Sequence, residues 1–384
     1  MPKYRFDEIA INSTEKKKPV EADKDTYIGL EHLDSGCLEV TRWGAEVAPV
    51  GDKLVMHKGD VLFGRRRAYQ KKVSIAPFDG IFSAHGMVLR PIESVITKEF
   101  FPFVIGSDYF LDAAIKISVG SLSPTINWRD LAKLEFQIPS LDEQASLSSV
   151  LWAMNRLKMA YTDLLQQADA LVQSQFVEMF ESEETDFPKV EIQDACVNRD
   201  DIKCGPFGTQ LKQAEYQPNC IAIWGIPQIN SEFSIQPDVY VSPEKAKQLS
   251  SYSLIPGDIA MSRKGNVGQC AIFPGNLGEG IIASDVLRIR VDPTRLLPRF
   301  MQFQLHHSWN VKQQILRVSD GAVMAGINVT KLKSIEVFIP PMGLQRRFVS
   351  IVEQTDKSKY YCQHQTIFRN VAQQVTTLNR SMIH

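Results

Sequence analysis

A set of short identities recurs in order along this chain at a nearly constant spacing. Such duplication constrains architecture more strongly than any single motif. Gly120, Ile126 and Asn127 have counterparts in Gly321, Ile327 and Asn328, 201 residues further on. At the same offset Leu131 meets Leu332, Glu135 meets Glu336, Ile138-Pro139 meets Ile339-Pro340, and Gln144 meets Gln345. Upstream, Gly59-Asp60-Val61 matches Gly257-Asp258-Ile259 at an offset of 198, which implies small loop differences between the copies. One such identity arises by chance, but an ordered series does not. The chain reads as one unit written twice, each copy a globular domain followed by a long helix.

Each copy repeats a mixed α/β pattern. A Gly-Asp turn launches an apolar strand, Val61-Leu62-Phe63 in one copy and Ile259-Ala260-Met261 in the other. A second strand pattern follows at 86–90 and 285–290, then an amphipathic helical stretch near 98–117 and 294–317. The last strand, 134–138 or 335–339, stops at Pro139 or Pro340, which has no N–H for a sheet ladder.

A long helix is predicted after each proline. In residues 141–185 no Gly or Pro interrupts a seam of Leu147, Leu151, Met154, Leu157 or Lys158, Tyr161, Leu165, Ala168, Val172, Gln175 or Phe176, and Met179 at three- and four-residue steps. In residues 342–384 a weaker seam runs through Phe348, Val352, Thr355, Cys362, Ala372, Val375, Leu378 and Met382. The charge follows the same division. Residues 1–140 and 186–341 are nearly neutral, at net 0 and +1, whereas 141–185 carries −6 and 342–384 carries +4. A seam needs a partner, and opposite charge makes each long helix the natural partner of the other, antiparallel because a domain intervenes. Some 38 residues of helix would make a rod of roughly 55–60 Å at about 1.5 Å per residue, holding two domains apart about an approximate two-fold axis. The competing expectation is that each helix packs on its own domain. The expected layout is therefore domain 1 at 1–140, spacer helix 1 at 141–185, domain 2 at 186–341 and spacer helix 2 at 342–384.

Composition excludes several classes. With 384 residues, 44% hydrophobic and 23% charged, the chain can bury two cores. No stretch approaches the roughly 20 apolar residues of a bilayer span. The first residues, Met1 to Glu8, are charged and carry no apolar signal core, so a cytoplasmic, membrane-free protein is expected. Six scattered cysteines form no C-x-x-C pair, which points to reduced thiols rather than zinc or disulfides.

These residues resemble the specificity subunits of type I restriction–modification systems. The similar features span essentially the whole chain: Tyr27 to Leu33, Gly59 to Tyr69 with Phe78-Asp79-Gly80, Cys204 to Lys212, Pro256 to Arg263, and the Ile-Pro-x-x-x-x-Gln lead into a long helix at 138–144 and again at 339–345. The first copy has no obvious Gly-Pro-Phe-Gly equivalent. The resemblance implies two target recognition domains, each reading one half of a split site in double-stranded DNA. It implies that the paired helices act as a ruler and dock two methyltransferase subunits, with a restriction motor–nuclease subunit completing the assembly. S-adenosylmethionine, ATP and Mg would then belong to those partners, and this chain would carry no cofactor.

Basic residues cluster where such a reader needs them. Arg65, Arg66, Arg67, Lys71 and Lys72 bracket Tyr69 in a loop directly after a strand, and Arg263, Lys264 and Asn266 occupy the aligned place in copy two. Side chains of this kind contact phosphates or read guanine through O6 and N7. Taken alone, either loop is a solvated hairpin tip. Two at equivalent places in a repeat, together with the resemblance, favour DNA contact. Lys203 and Lys212 flank Gly205-Pro206-Phe207-Gly208, where DNA contact and a structural turn are both open readings.

Catalytic apparatus is missing from the pattern. There is no G-x-x-x-x-G-K-[ST] phosphate loop and no amino-methyltransferase motif of the Asn/Asp-Pro-Pro-aromatic type. Gly275 to Gly280 reads as a surface loop, His306-His307 as packing or surface histidines, and Trp43, Trp128, Trp152, Trp224 and Trp309 as core or seam residues. The sequence therefore predicts a non-catalytic DNA reader. Two alternatives are carried beside it: a duplicated coiled-coil scaffold that binds no DNA, and a stand-alone enzyme with an interdomain active site.

Overall fold

The computed structural model describes residues 1–182, 185–319 and 326–364. Leu378, with Ala372, Val375 and Met382 of the second seam, lies outside the described residues, as do residues 321–325 of the repeat. The chain divides into two compact units, one built on Met1–Thr162 and one on Asp163–Cys362.

Unit one contains strands β1 (Lys3–Arg5), β2 (Ala10–Ser13), β3 (Lys16–Lys17), β4 (Tyr27–Ile28), β5 (Lys53–Met56), β6 (Val61–Phe63), β7 (Val73–Ile75), β8 (Gly80–Phe82), β9 (Met87–Pro91) and β10 (Glu135–Gln137). One antiparallel sheet runs β2-β9-β6-β7, and a second, mixed sheet runs β3-β5-β8-β4. Successive strand residues face opposite sides, so the Val61-Leu62-Phe63 run serves two cores. Val61 and Phe63 enter a core with Phe100, Phe101 and Phe110 of the following helices. Leu62 enters another with Leu54, Met56 and Phe82 of the second sheet. A strand covered on both faces has no reason to alternate with polar residues, which explains its continuous apolar run.

Unit two repeats the plan with β11 (Lys189–Glu191), β12 (Ile202–Cys204), β13 (Ile221–Trp224), β14 (Tyr240–Val241), β15 (Ser253–Leu254), β16 (Ile259–Ser262), β17 (Cys270–Ile272), β18 (Gly280–Ile282), β19 (Val286–Ile289) and β20 (Glu336–Phe338). Its antiparallel sheet is β12-β19-β16-β17, and its mixed sheet is β14-β13-β18-β15. Ile259 and Met261 face the helical core, while Ala260 packs with Trp224 and Ile282. In each unit the first strand closes on the last: β1 pairs β10 and β11 pairs β20, both antiparallel.

The repeated sequence signals are repeated tertiary contacts. Gly59 and Gly257 take left-handed φ of 93° and 92°. The aspartate that follows each of them accepts a turn N–H, from His57 at 2.8 Å or from Ile255 at 2.9 Å. Each also holds an arginine at the end of the neighbouring strand or just past it, Arg90 in β9 or Arg290 after β19. Gln144 and Gln345 are fully buried. Gln144 accepts from the Thr97 N–H and donates to the Val95 and Pro139 carbonyls; Gln345 accepts from the Leu297 N–H and donates to the Arg295 and Pro340 carbonyls. Both glutamines thus pin the start of a long helix to its domain.

Several expectations change. The helical stretch in each copy is two helices, not one: Phe101–Ile105 and Asp108–Lys116, and Pro298–His307 and Trp309–Val318. The break falls at Ser107 and Ser308, whose hydroxyls cap the second helix by accepting from the Phe110 and Val311 N–H groups. Trp43 and Trp309 are exposed rather than core residues. Trp309 opens a helix whose buried face is Val311 and Ile315, and Trp43 packs edge-on against Phe78 in an irregular segment.

The first long helix is continuous over Leu141–Phe176 and ends in a π-helical turn, Val177–Glu181. Its seam divides between units. Leu147 and Leu151 pack into the core of unit one, whereas Val172, Phe176 and Phe180 join Phe348 and Val352 of the second long helix, Met342–His364, in the core of unit two. Both sequence expectations therefore hold in part, because the two ends of one helix belong to different cores. Within unit two the helices run antiparallel: Phe176 meets Phe348 at 5.5 Å between ring centroids, and Asp169, earlier in the first helix, pairs with Lys359, later in the second. Met154, Tyr161 and Leu165 are half-buried.

Candidate nucleic-acid interface

In unit one the basic loop leaves β6 and returns as β7, at one end of the antiparallel sheet. Its apex is a short 3-10 turn, Ala68–Gln70, flanked by Arg67 and Lys71 with φ of 53° and 48°. Left-handed backbone in two non-glycine residues costs on the order of 1–3 kcal/mol each and persists only where surrounding contacts enforce it. Here those contacts come from segment 118–126. Val119 and Thr125 exchange backbone hydrogen bonds of 2.9 and 3.0 Å, the Ile126 N–H donates to the Arg65 carbonyl at 3.0 Å, and the Ala68 N–H donates to the Pro124 carbonyl at 3.2 Å. Tyr69 and Leu122 are 57% and 92% exposed, and Arg66 and Arg67 are exposed as well.

The basic residues are not equivalent. Arg66 and Arg67 are exposed. Arg65 is half-buried; its Nη2 donates weakly to the Ala84 carbonyl at 3.3 Å, and its Nε is buried with no acceptor among the described residues. An unsatisfied buried donor costs about 1–3 kcal/mol, a cost an incoming acceptor removes. Lys71 is already engaged. It pairs with Asp108 at 2.6 Å and Asp112 at 2.7 Å, and hydrogen bonds to these carboxylates raise its pKa. Lys72 donates to the Leu30 carbonyl at 2.6 Å.

Unit two builds the same end of the same sheet. The Ile327 N–H donates to the Arg263 carbonyl at 3.0 Å, the counterpart of Ile126 and Arg65, and Lys264 bridges Gly326 as Arg66 bridges Thr125. Lys264 and Asn266 are exposed. The Gly-Pro-Phe-Gly segment leaves β12 beside them. A side chain at Gly205 would strike the Ala283 carbonyl oxygen, 2.1 Å from where its Cβ would sit, so glycine lets the two backbones meet. Phe207 is 54% exposed, and the Arg263 guanidinium lies 5.6 Å from its ring centroid. Arg263 also donates to the Cys204 sulfur at 3.3 Å. Lys203 stands 5.4 Å from the Tyr252 ring centroid, while Lys212 is exposed and its backbone N–H is bound by Glu215.

A second contributor to each loop end escaped the sequence reading. Reading across the sheet from β6 and β16 sets His85 and Asp285 at the same position, two residues before Met87 and Leu287. His85 Nε2 lies 3.4 Å from Arg66 Nη1, and the Asp285 carboxylate pairs with Lys264 at 2.9 Å. The exposed tip at Leu122 was also missed as a contact surface, although its flanking Gly120 and Ile126-Asn127 carried the repeat register.

The polar cluster behind His306-His307 has a packing role. His306 Nε2 accepts the Cys270 N–H at 3.1 Å, and His307 packs on Phe303 at 4.2 Å between centroids. Burial lowers the pKa of both histidines and raises that of the neighbouring Cys270 thiol, so these groups are neutral near pH 7. No group of three or more metal-ligating side chains comes together among the described residues.

The description "Type I restriction modification DNA specificity domain" matches residues 11–183. The chain resembles this family over a little under half of its length. It is 28% identical over 142 residues to the type I restriction enzyme EcoDI specificity subunit of Escherichia coli, a stretch covering 36% of this chain and 31% of that relative. The sequence match thus spans about a third of that relative's length. Two solved structures share the fold over 99% of this chain. A chain of a type I R-M system covers at TM-score 0.50 with 18% identity and 95% of its own length, and the S subunit of a type I restriction–modification system from M. genitalium covers at TM-score 0.53 with 13% identity and 94%. No helix among the described residues is long and apolar enough to cross a membrane.

Proposed function

We propose that this chain is a specificity subunit that reads double-stranded DNA for a type I restriction–modification assembly, each unit docking its loop end against one half of a bipartite site. The observation that carries this reading is the doubled tie between a basic loop and Thr125-Ile126 in unit one or Gly326-Ile327 in unit two, which gives both units an equivalent loop end. Exposed arginine and lysine beside Tyr69 or Phe207 combine phosphate neutralisation with planar groups able to approach base edges. The two loop ends differ in sequence, so the half-sites differ.

In this reading the chain performs no chemistry. Two methyltransferase subunits carrying S-adenosylmethionine flip and modify the target adenine, and a motor–nuclease subunit uses ATP and Mg, all within the cytoplasm. A second apolar stripe on the first long helix supports protein docking. Val150, Leu157, Leu164 and Leu171 recur every seventh residue and are 48%, 39%, 53% and 63% exposed, the spacing of a helix seam.

The test is to express the chain with its cognate methyltransferase in a host and sequence the modified adenines. A bipartite motif is expected, and replacing residues 1–140 by those of another family member should change one half of it. An unaltered motif after the swap, or modification without sequence preference, would overturn the reading.

A further inference from the structure

The two loop ends occupy the same place in the fold but differ in charge at one position. Asp285 lies one residue before β19, and the Arg263 N–H binds its carbonyl at 3.1 Å while its carboxylate takes the Lys264 ammonium at 2.9 Å. His85 lies one residue before Gly86 in unit one; the Arg66 N–H binds its carbonyl at 3.3 Å and its ring faces the Arg66 guanidinium. Lys264 and Asp285 are half-exposed, at 48% and 44%, so their pair opens at little cost. His85 offers no charge to compete. Its pKa is held below the ordinary histidine value by burial and by Arg66, Arg65 and Lys53, which leaves the ring neutral and Arg66 without a carboxylate partner among the described residues.

We propose that this position tunes how strongly each unit engages the nucleic-acid backbone: Asp285 is an internal substitute for phosphate that duplex DNA must displace from Lys264, whereas His85 leaves Arg66 open to phosphate from the outset. The proposal rests on the DNA-reading function. It makes unit one the electrostatically stronger anchor and unit two the one whose binding depends more on base contacts. A pair that must open before a phosphate can bind subtracts its own energy from the contact and lowers the number of counterions released.

The full chain, titrated with a fluorescent random-sequence duplex across a salt series, tests this. Asp285→Asn should tighten binding about two- to fivefold at low salt, the scale of a surface ion pair, and steepen the dependence of log affinity on log salt. His85→Asp should do the opposite by giving Arg66 an internal partner. In a chain that also carries Lys264→Ala, the Asp285→Asn effect should vanish, an outcome that a general folding defect would not produce. Unchanged affinity and salt slope in both single variants, with duplex binding intact in the unaltered chain, would overturn the proposal alone. Persistence of the Asp285→Asn effect without Lys264 would overturn it as well. An unaltered chain that binds no duplex would overturn the DNA-reading function itself, and this proposal with it.

Discussion

Arg290 grips Asp258 through two hydrogen bonds, of 2.6 and 2.7 Å, with the aspartate side chain 1% exposed. The same pair, Arg90 with Asp60 at 2.9 Å twice, stands in unit one. Removing one partner of a buried pair strands the other charge, which typically costs about 3–5 kcal/mol. Asp258→Ala should lose stability on that scale in urea unfolding. A loss under about 1 kcal/mol would mean that the pair behaves as a surface bridge.

Gln345 satisfies three backbone groups with one buried amide. Gln345→Leu keeps the approximate volume but leaves the Leu297 N–H and the Arg295 and Pro340 carbonyls without it. A loss of about 2–4 kcal/mol is expected, the scale of unsatisfied buried groups, and Gln144→Leu should behave alike in unit one. Equal stability of variant and unaltered chain would show that the helix start is held by packing alone.

Phe176 touches Phe180, Phe300, Phe303, Phe338 and Phe348, with centroid separations from 5.0 to 6.0 Å. Phe176→Ala should cost about 3–5 kcal/mol and lower hydrogen-exchange protection in unit two. Loss of protection spread evenly over the domain cores of both units would contradict the division of the first long helix between them.

His307 gives unit two an acid-sensitive element. Burial, followed by the charges of His306 and Lys312, lowers its pKa from 6.5 to about 4 in the folded chain. The unfolded chain binds a proton near the ordinary value, so between these limits it holds more protons than the folded one and stability falls as pH falls. Stability should be full above pH 6.5 and drop progressively toward pH 4, by up to about 2 kcal/mol after allowing for partial exposure. His307→Gln should flatten that part of the pH–stability curve, and an unchanged slope would assign the effect to other groups.

In the basic loop, Arg66 and Lys71 should separate. Arg66 is exposed with no carboxylate partner among the described residues, whereas Lys71 is neutralised by Asp108 and Asp112. Arg66→Ala should weaken specific binding by about 1–3 kcal/mol if it reads a base, with relaxed preference at one half-site. Lys71→Met should leave duplex affinity close to that of the unaltered chain. Competitive binding against variant duplexes checks both, and equal losses from the two substitutions would contradict the pairing argument.

The sequence by itself determined the duplication, because Asp60, Asp258, Gln144 and Gln345 satisfy backbone and charge demands that few substitutions meet, and those demands fall at fixed spacing. It also marked both long helices and the strand before each basic loop, since hydrophobic periodicity is a local property. Only the tertiary structure decided which apolar residues of the first helix join which core, because Leu151 and Val172 look alike until neighbours are supplied. Only the tertiary structure divided the basic residues into engaged and open ones. The partners that decide, Asp108 for Lys71, His85 for Arg66 and Asp285 for Lys264, lie 37, 19 and 21 residues away along the chain. Charge has no periodicity that would announce such pairs, and folding alone brings them within hydrogen-bond reach.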